Sequence, residues 1–120
     1  MTYSVVIVED EVEVDQLLAQ YLLLPHGVAG QQGARQTLRQ GQYQVVGIAG
    51  NLATAKALLS AINADLILLD IHLPDGNGLD LLNELRREEM KSEVMLLTAA
   101  KEVETLEKAM QLGACDFLVK

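Results

Sequence analysis

Five short apolar runs recur along the chain, and the stretches between them carry apolar residues at spacings of three and four. That alternation is the pattern of strands joined by amphipathic crossover helices. The runs are Ser4 to Val8, Tyr43 to Ala49, Leu66 to Leu69, Val94 to Leu97 and Phe117 to Val119. Three are almost unbroken aliphatic, as strands are when helices cover both faces of a parallel sheet. The pattern predicts an α/β fold around a central parallel sheet.

Four helical stripes fill the gaps. Val14, Leu17, Leu18, Tyr21 and Leu22 form the first, and Ala55, Leu58, Leu59 and Ile62 the second, with Asn51 as its cap. Leu79, Leu82 and Leu85 follow, started by Gly78. Val103, Leu106 and Met110 complete the set, stopped by Gly113. All are expected to face the core. Residues 25–42 break the rhythm with five glycines and prolines among five glutamines and no acid, and are expected to be a loop insertion.

At 120 residues the chain fits one domain, expected to span 1–120. Half the residues are hydrophobic and 22% charged, which excludes a disordered tail. A net charge of −8 opposes nucleic acid and anionic membrane, so direct DNA binding by this chain is not expected. The single cysteine, Cys115, allows no internal disulfide. No basic leader opens the sequence and no apolar run spans a bilayer, so the expected location is cytoplasmic, with no membrane partner.

In an open parallel sheet the chemistry gathers beyond the carboxyl ends of the strands. Here those ends carry Glu9-Asp10-Glu11, Asp70, Thr98 and Lys120. Asp70 follows Leu66-Ile67-Leu68-Leu69, so a rigid strand presents its carboxylate as a positioned nucleophile. Clustered carboxylates repel, and a hard divalent cation relieves the repulsion. Mg²⁺ suits such a set, with Glu9, Asp10 and Asp70 as ligands, directly or through water. Asp70 could then attack phosphorus to give an acyl phosphate, with Lys120 and Thr98 on the phosphoryl oxygens. Singly, a strand-end Asp or Thr is more often a turn or cap residue. Four such ends together favour the chemistry.

These segments resemble the receiver domain of bacterial two-component response regulators. The likeness runs through Val5 to Glu11, Leu66 to Gly78, Leu96 to Ala100 and Gly113 to Lys120. The runs 45–55 and 73–82 most resemble the citrate- and dicarboxylate-sensing transcription regulators. The resemblance implies a flavodoxin-like three-layer fold with strand order 2-1-3-4-5. It implies Asp70 as phosphoacceptor, Glu9 and Asp10 as the acidic pair, the His72 backbone carbonyl as a further Mg²⁺ ligand, and Lys120 as the phosphate-contacting lysine. Thr98 and Phe117 would be the switch pair. The implied partners are a sensor histidine kinase and DNA, the latter only through an output domain. The chain would accept phosphoryl groups and catalyse only its own phosphorylation and dephosphorylation.

One departure stands out. The family continues past the lysine through a proline and a fifth helix, and here the sequence stops at Lys120. A truncated domain is expected, with apolar surface left on one sheet face and self-association through that face or through the fourth helix and fifth strand. The 25–42 insertion is a candidate to lie over the gap. Duller readings attach to several residues: His72 and His26 as loop histidines, Cys115 as a small packing residue, Phe117 as core. Three rival readings meet obstacles in the sequence. A phosphoaspartate-forming hydrolase wants a second Asp where His72 stands, and Glu9-Asp10-Glu11 would repel a flavin phosphate. A non-phosphorylated pseudo-receiver acting only as an interaction module usually lacks one of the acid, hydroxyl or lysine positions, all present here, and stays as the alternative.

Overall fold

The computed structural model describes residues 3–10, 43–98 and 103–119. The stripe at 14–22, the insertion at 25–42 and Lys120 lie outside the described residues. Five strands form one parallel sheet: β1 (Tyr3–Val8), β2 (Tyr43–Ala49), β3 (Leu66–Asp70), β6 (Glu93–Thr98) and β7 (Asp116–Val119). They are ordered β2-β1-β3-β6-β7. Setting aside a separate two-stranded ribbon, β4 (His72–Leu73) with β5 (Gly76–Asn77), this is the expected order 2-1-3-4-5. That ribbon was not foreseen, since two-residue strands carry no periodicity.

Three helices are described: α1 (Leu52–Ala61), α2 (Gly78–Arg87) and α3 (Val103–Gln111). All three connect strands stepping the same way across the sheet, so right-handed crossovers send them to one face. There Leu52, Ala55 and Leu59 of α1 and Leu79, Leu81, Leu82 and Leu85 of α2 bury against Val6, Val8, Ile67, Leu69, Val94 and Leu96. Helix α3 contributes Ala109, fully buried, while Met110 is 45% exposed. Met110 therefore leaves the expected stripe: at 100° per residue, burying 109 turns 110 away from the core. Cys115 is likewise exposed, and its neighbour Ala114 fills the packing position. Both lie in the turn before β7, where Ala114 N–H donates to the Ala109 carbonyl and Cys115 N–H to the Val94 carbonyl.

The other sheet face bears on a further expectation over its three central strands, the side chains at 118 and 119 of β7 lying outside the described residues. Val5, Ile7, Leu66, Leu68, Met95 and Leu97 are all fully buried, so solvent is excluded from both faces of the three central strands. Among the described residues, large exposed apolar side chains on the sheet are limited to Ile48 on edge strand β2.

Register is pinned at the amino edge of the sheet. The Asp65 carboxylate accepts from the Ser4 N–H (2.8 Å) and hydroxyl (3.0 Å), and Glu93 N–H donates to the Asp65 carbonyl (3.0 Å). One residue thus aligns β1, β3 and β6, and a slip by one would invert every buried side chain. Arg86 performs a similar task below α2. Its guanidinium donates to the carbonyls of Met90 (2.8 Å), Ser92 (3.1 Å) and Gly113 (3.0 Å), tying the loop before β6 to the turn before β7. Helix α2 ends with Glu89 at φ +58°, Met90 N–H donating to Leu85 O and Glu89 N–H to Arg86 O. This is the left-handed helix end usually built with glycine. No described helix is long and apolar enough to cross a membrane.

Candidate functional site

The carboxyl ends of β1 and β3 are neighbours, because Val8 pairs with Leu69. The residues that follow therefore emerge side by side. Carboxylate oxygens of Glu9, Asp10 and Asp70 lie within 4.8 Å of one another. Glu9 and Asp70 are each 3% exposed, whereas Asp10 opens to solvent. Carboxylates at that separation repel one another in a partly dehydrated setting, and an all-oxygen set of three carboxyl groups is what a hard divalent cation such as Mg²⁺ takes. The residues present fit that ion.

Backbone bonds hold Glu9 and Asp70 in place. Glu9 N–H donates to the Ala49 carbonyl (2.9 Å), continuing the β1–β2 pairing one residue beyond the strands. On the other side His72 N–H donates to Asp70 Oδ1 (3.1 Å), orienting the carboxylate. Beyond Asp70 the chain makes the β4–β5 hairpin, with Pro74 and Asp75 at its corner, and returns so that Gly78 N–H donates to the Ile71 carbonyl (2.7 Å). The return is close enough that a Cβ at position 78 would collide with the Asp70 carbonyl oxygen. Only glycine fits there. Asn77 then caps α2, its side chain accepting from Leu79 N–H (2.8 Å).

The hairpin is also fastened sideways. The Asp75 carboxylate accepts from the backbone N–H of Leu52 (2.7 Å) and of Ala53 (3.1 Å), at the start of α1. The Leu52 hydrogen bond above all holds its carboxyl below the ordinary 3.8. Gly76, at φ +153°, lies against Leu52, where a side chain would strike the leucine. Sequence reasoning missed Asp75. An aspartate after a proline reads as a turn residue, and its partners lie 23 and 22 positions earlier.

The remaining expected site residues are placed as follows. Thr98 ends β6 and pairs in register with Val119, at the same edge of the sheet as Asp70, whose partner is Leu97. Phe117 is half-buried and packs on the core cluster, level with Leu96. His72 is exposed, as the duller reading had it, but it opens strand β4 opposite Asn77 and does not lie in a loop. Lys120 lies outside the described residues. A groove of about 550 Å³ lined by Asp65, Glu89, Lys91 and Glu93 sits at the opposite edge of the sheet, away from this cluster.

The response regulator receiver domain model matches residues 26–120. The chain belongs to the response regulator receiver family. Relatives include the transcriptional regulatory protein MalR of Bacillus subtilis, 36% identical over 98% of this chain and 43% of that protein. The transcriptional regulatory protein CitB of Klebsiella pneumoniae is 39% identical over 66% of this chain and 34% of its own length. The receiver thus spans less than half the length of these relatives. Among solved structures, a LuxR-family DNA-binding response regulator from Staphylococcus aureus superposes with a TM-score of 0.73, over 98% of this chain and 85% of that one. At 22% identity this likeness shows the shared flavodoxin-like fold. The receiver is a two-component signalling module homologous to transcriptional regulators, a family in which phosphorylation and magnesium are typical.

Proposed function

We propose that the receiver takes a phosphoryl group on Asp70. The observation that carries this reading is the convergence of Glu9, Asp10 and Asp70 within 4.8 Å at the ends of adjacent strands. A carboxylate oxygen of Asp70 attacks phosphorus in a phosphohistidine of a sensor kinase, or in a small acyl phosphate. The new P–O bond forms as the bond to the donor imidazole nitrogen or carboxylate breaks, and the leaving group carries away the electron pair. Glu9, Asp10 and Asp70, with the His72 carbonyl, are the groups that would hold Mg²⁺. Bound there, the ion supplies charge neutralisation between the acids and the incoming phosphate. His72 N–H keeps the nucleophilic carboxylate oriented. Thr98 and Lys120 are the proposed contacts to the phosphoryl oxygens, supported by the resemblance and, for Thr98, by its place at the same sheet edge.

Phosphorylation then offers the Thr98 hydroxyl a new acceptor, and Phe117 turns into the space it leaves. The pair biases an equilibrium that reshapes the surface of α3 and β7. That surface is the proposed output and self-association face, and the exposed Met110 on α3 gives it an apolar element. In a longer regulator the readout is control of transcription through a DNA-binding part, by analogy with the relatives above. Residues 1–120 are read as one phosphoacceptor domain with an insertion at 25–42.

The test is incubation with a small acyl phosphate and Mg²⁺, followed by intact-mass measurement. The wild-type chain gains one phosphoryl group, and Asp70→Asn gains none. Stable incorporation in Asp70→Asn would refute the assignment.

A further inference from the structure

Helix α1 has two separate acceptors at its N-terminus. Asn51, its own cap, accepts from Thr54 N–H (2.8 Å). The two amides before that, Leu52 and Ala53, are taken by Asp75, which reaches across from the β4–β5 hairpin. A helix start is ordinarily served by one capping side chain from its own chain segment. The second acceptor therefore does something the first does not: it binds the hairpin to α1.

The hairpin and the segment leading into α1 each hold one member of the acidic cluster. The β2–α1 junction holds the Glu9 side, through Ala49 O and Glu9 N–H (2.9 Å). The hairpin holds the Asp70 side, through His72 N–H and Asp70 Oδ1 (3.1 Å). Without Asp75 each acid keeps its own support, but the two supports lose this direct polar link. With it, a closed circuit runs from Glu9 through Ala49, Leu52, Asp75 and His72 to Asp70.

We propose that Asp75 is a positioning residue of the acidic site, locking the 71–77 hairpin to α1 so that Glu9, Asp10 and Asp70 stay at cation-sharing distance. The inference rests on the phosphoacceptor reading above and adds to it a residue that touches neither phosphate nor cation. Asp75→Asn keeps one acceptor oxygen but turns an NH₂ group toward the other donor. Asp75→Ala keeps neither.

The experiment titrates Mg²⁺ alone into the 120-residue chain by calorimetry, beside thermal melts of each variant. Groups hydrogen-bonded to metal ligands tune affinity by about tenfold or more when removed, and Asp75 acts one link further out, so Asp75→Ala is expected to weaken Mg²⁺ binding several-fold, to about tenfold at most. Asp75→Asn should fall between it and wild type, and it carries the test if the alanine variant does not fold. Asn51→Ala is the control, since it removes a cap from the same helix without touching the hairpin. It should lower the melting temperature and leave Mg²⁺ affinity unchanged. Equal losses of Mg²⁺ affinity in Asp75→Ala and Asn51→Ala would reduce Asp75 to an ordinary helix cap and overturn the proposal. So would unchanged affinity in Asp75→Ala while the wild type binds. A wild-type chain that binds no Mg²⁺ would overturn the acidic-site reading itself, and this inference with it.

Discussion

Replacing Gly78 by alanine sets two effects of opposite sign against each other. Gly78 is the first residue of α2, and alanine in a helix is favoured over glycine by about 1 kcal/mol. Propensity alone predicts a more stable protein. Space predicts the reverse. The added Cβ would overlap the Asp70 carbonyl oxygen and sit 3.1 Å from the Asp70 carbonyl carbon and 3.2 Å from Ile71 Cα. These are backbone atoms at the end of a fully buried strand, so no side chain can rotate aside. Overpacking of this kind costs about 1–3 kcal/mol, and a rigid obstacle puts it at the upper end. Subtracting the propensity gain leaves a net loss of about 2 kcal/mol. With unfolding entropy near 2.1 cal/mol/K per residue, or about 250 cal/mol/K for 120 residues, the melting midpoint should fall about 8 °C. A thermal melt followed by far-ultraviolet circular dichroism measures it. An unchanged or raised midpoint would mean that the Gly78–Asp70 approach is not a constraint.

Two further outcomes concern Asp75 and Glu89. The Asp75 carboxyl is depressed in the folded state by the Leu52 N–H, so its stabilisation is complete above the ordinary value of 3.8 and is lost as pH falls through the lower folded value. The stability gap between wild type and Asp75→Asn should therefore shrink below about pH 3.8, and a gap constant into acid unfolding would contradict this. Glu89 occupies a left-handed conformation at φ +58°. Glu89→Gly should stabilise the chain by about 0.5–1 kcal/mol, read as a higher urea midpoint with unchanged slope.

The acidic cluster shows how far one-dimensional reading reaches. Glu9, Asp10 and Asp70 were legible because strand ends in a parallel sheet share an edge, and the apolar runs located the ends to within a residue. The place of Thr98 at the end of β6 was legible for the same reason. Asp75 was not, because a hydrogen bond across 23 positions leaves no local trace. Met110 misled for a related reason: one step along a helix exchanges inside for outside, and composition does not fix the phase; Cys115 misled because the turn before β7 carries no periodicity.

By itself the sequence determined the alternation of strand and helix, the parallel sheet and the acids at its rim, since each follows from short-range periodicity and chain direction. Tertiary structure decided what lies between those acids: which backbone donors steady them, why residue 78 has no side chain, and how a turn aspartate reaches a helix two elements earlier. Those facts depend on ångström-scale approach between distant segments. Only packing in three dimensions sets that approach.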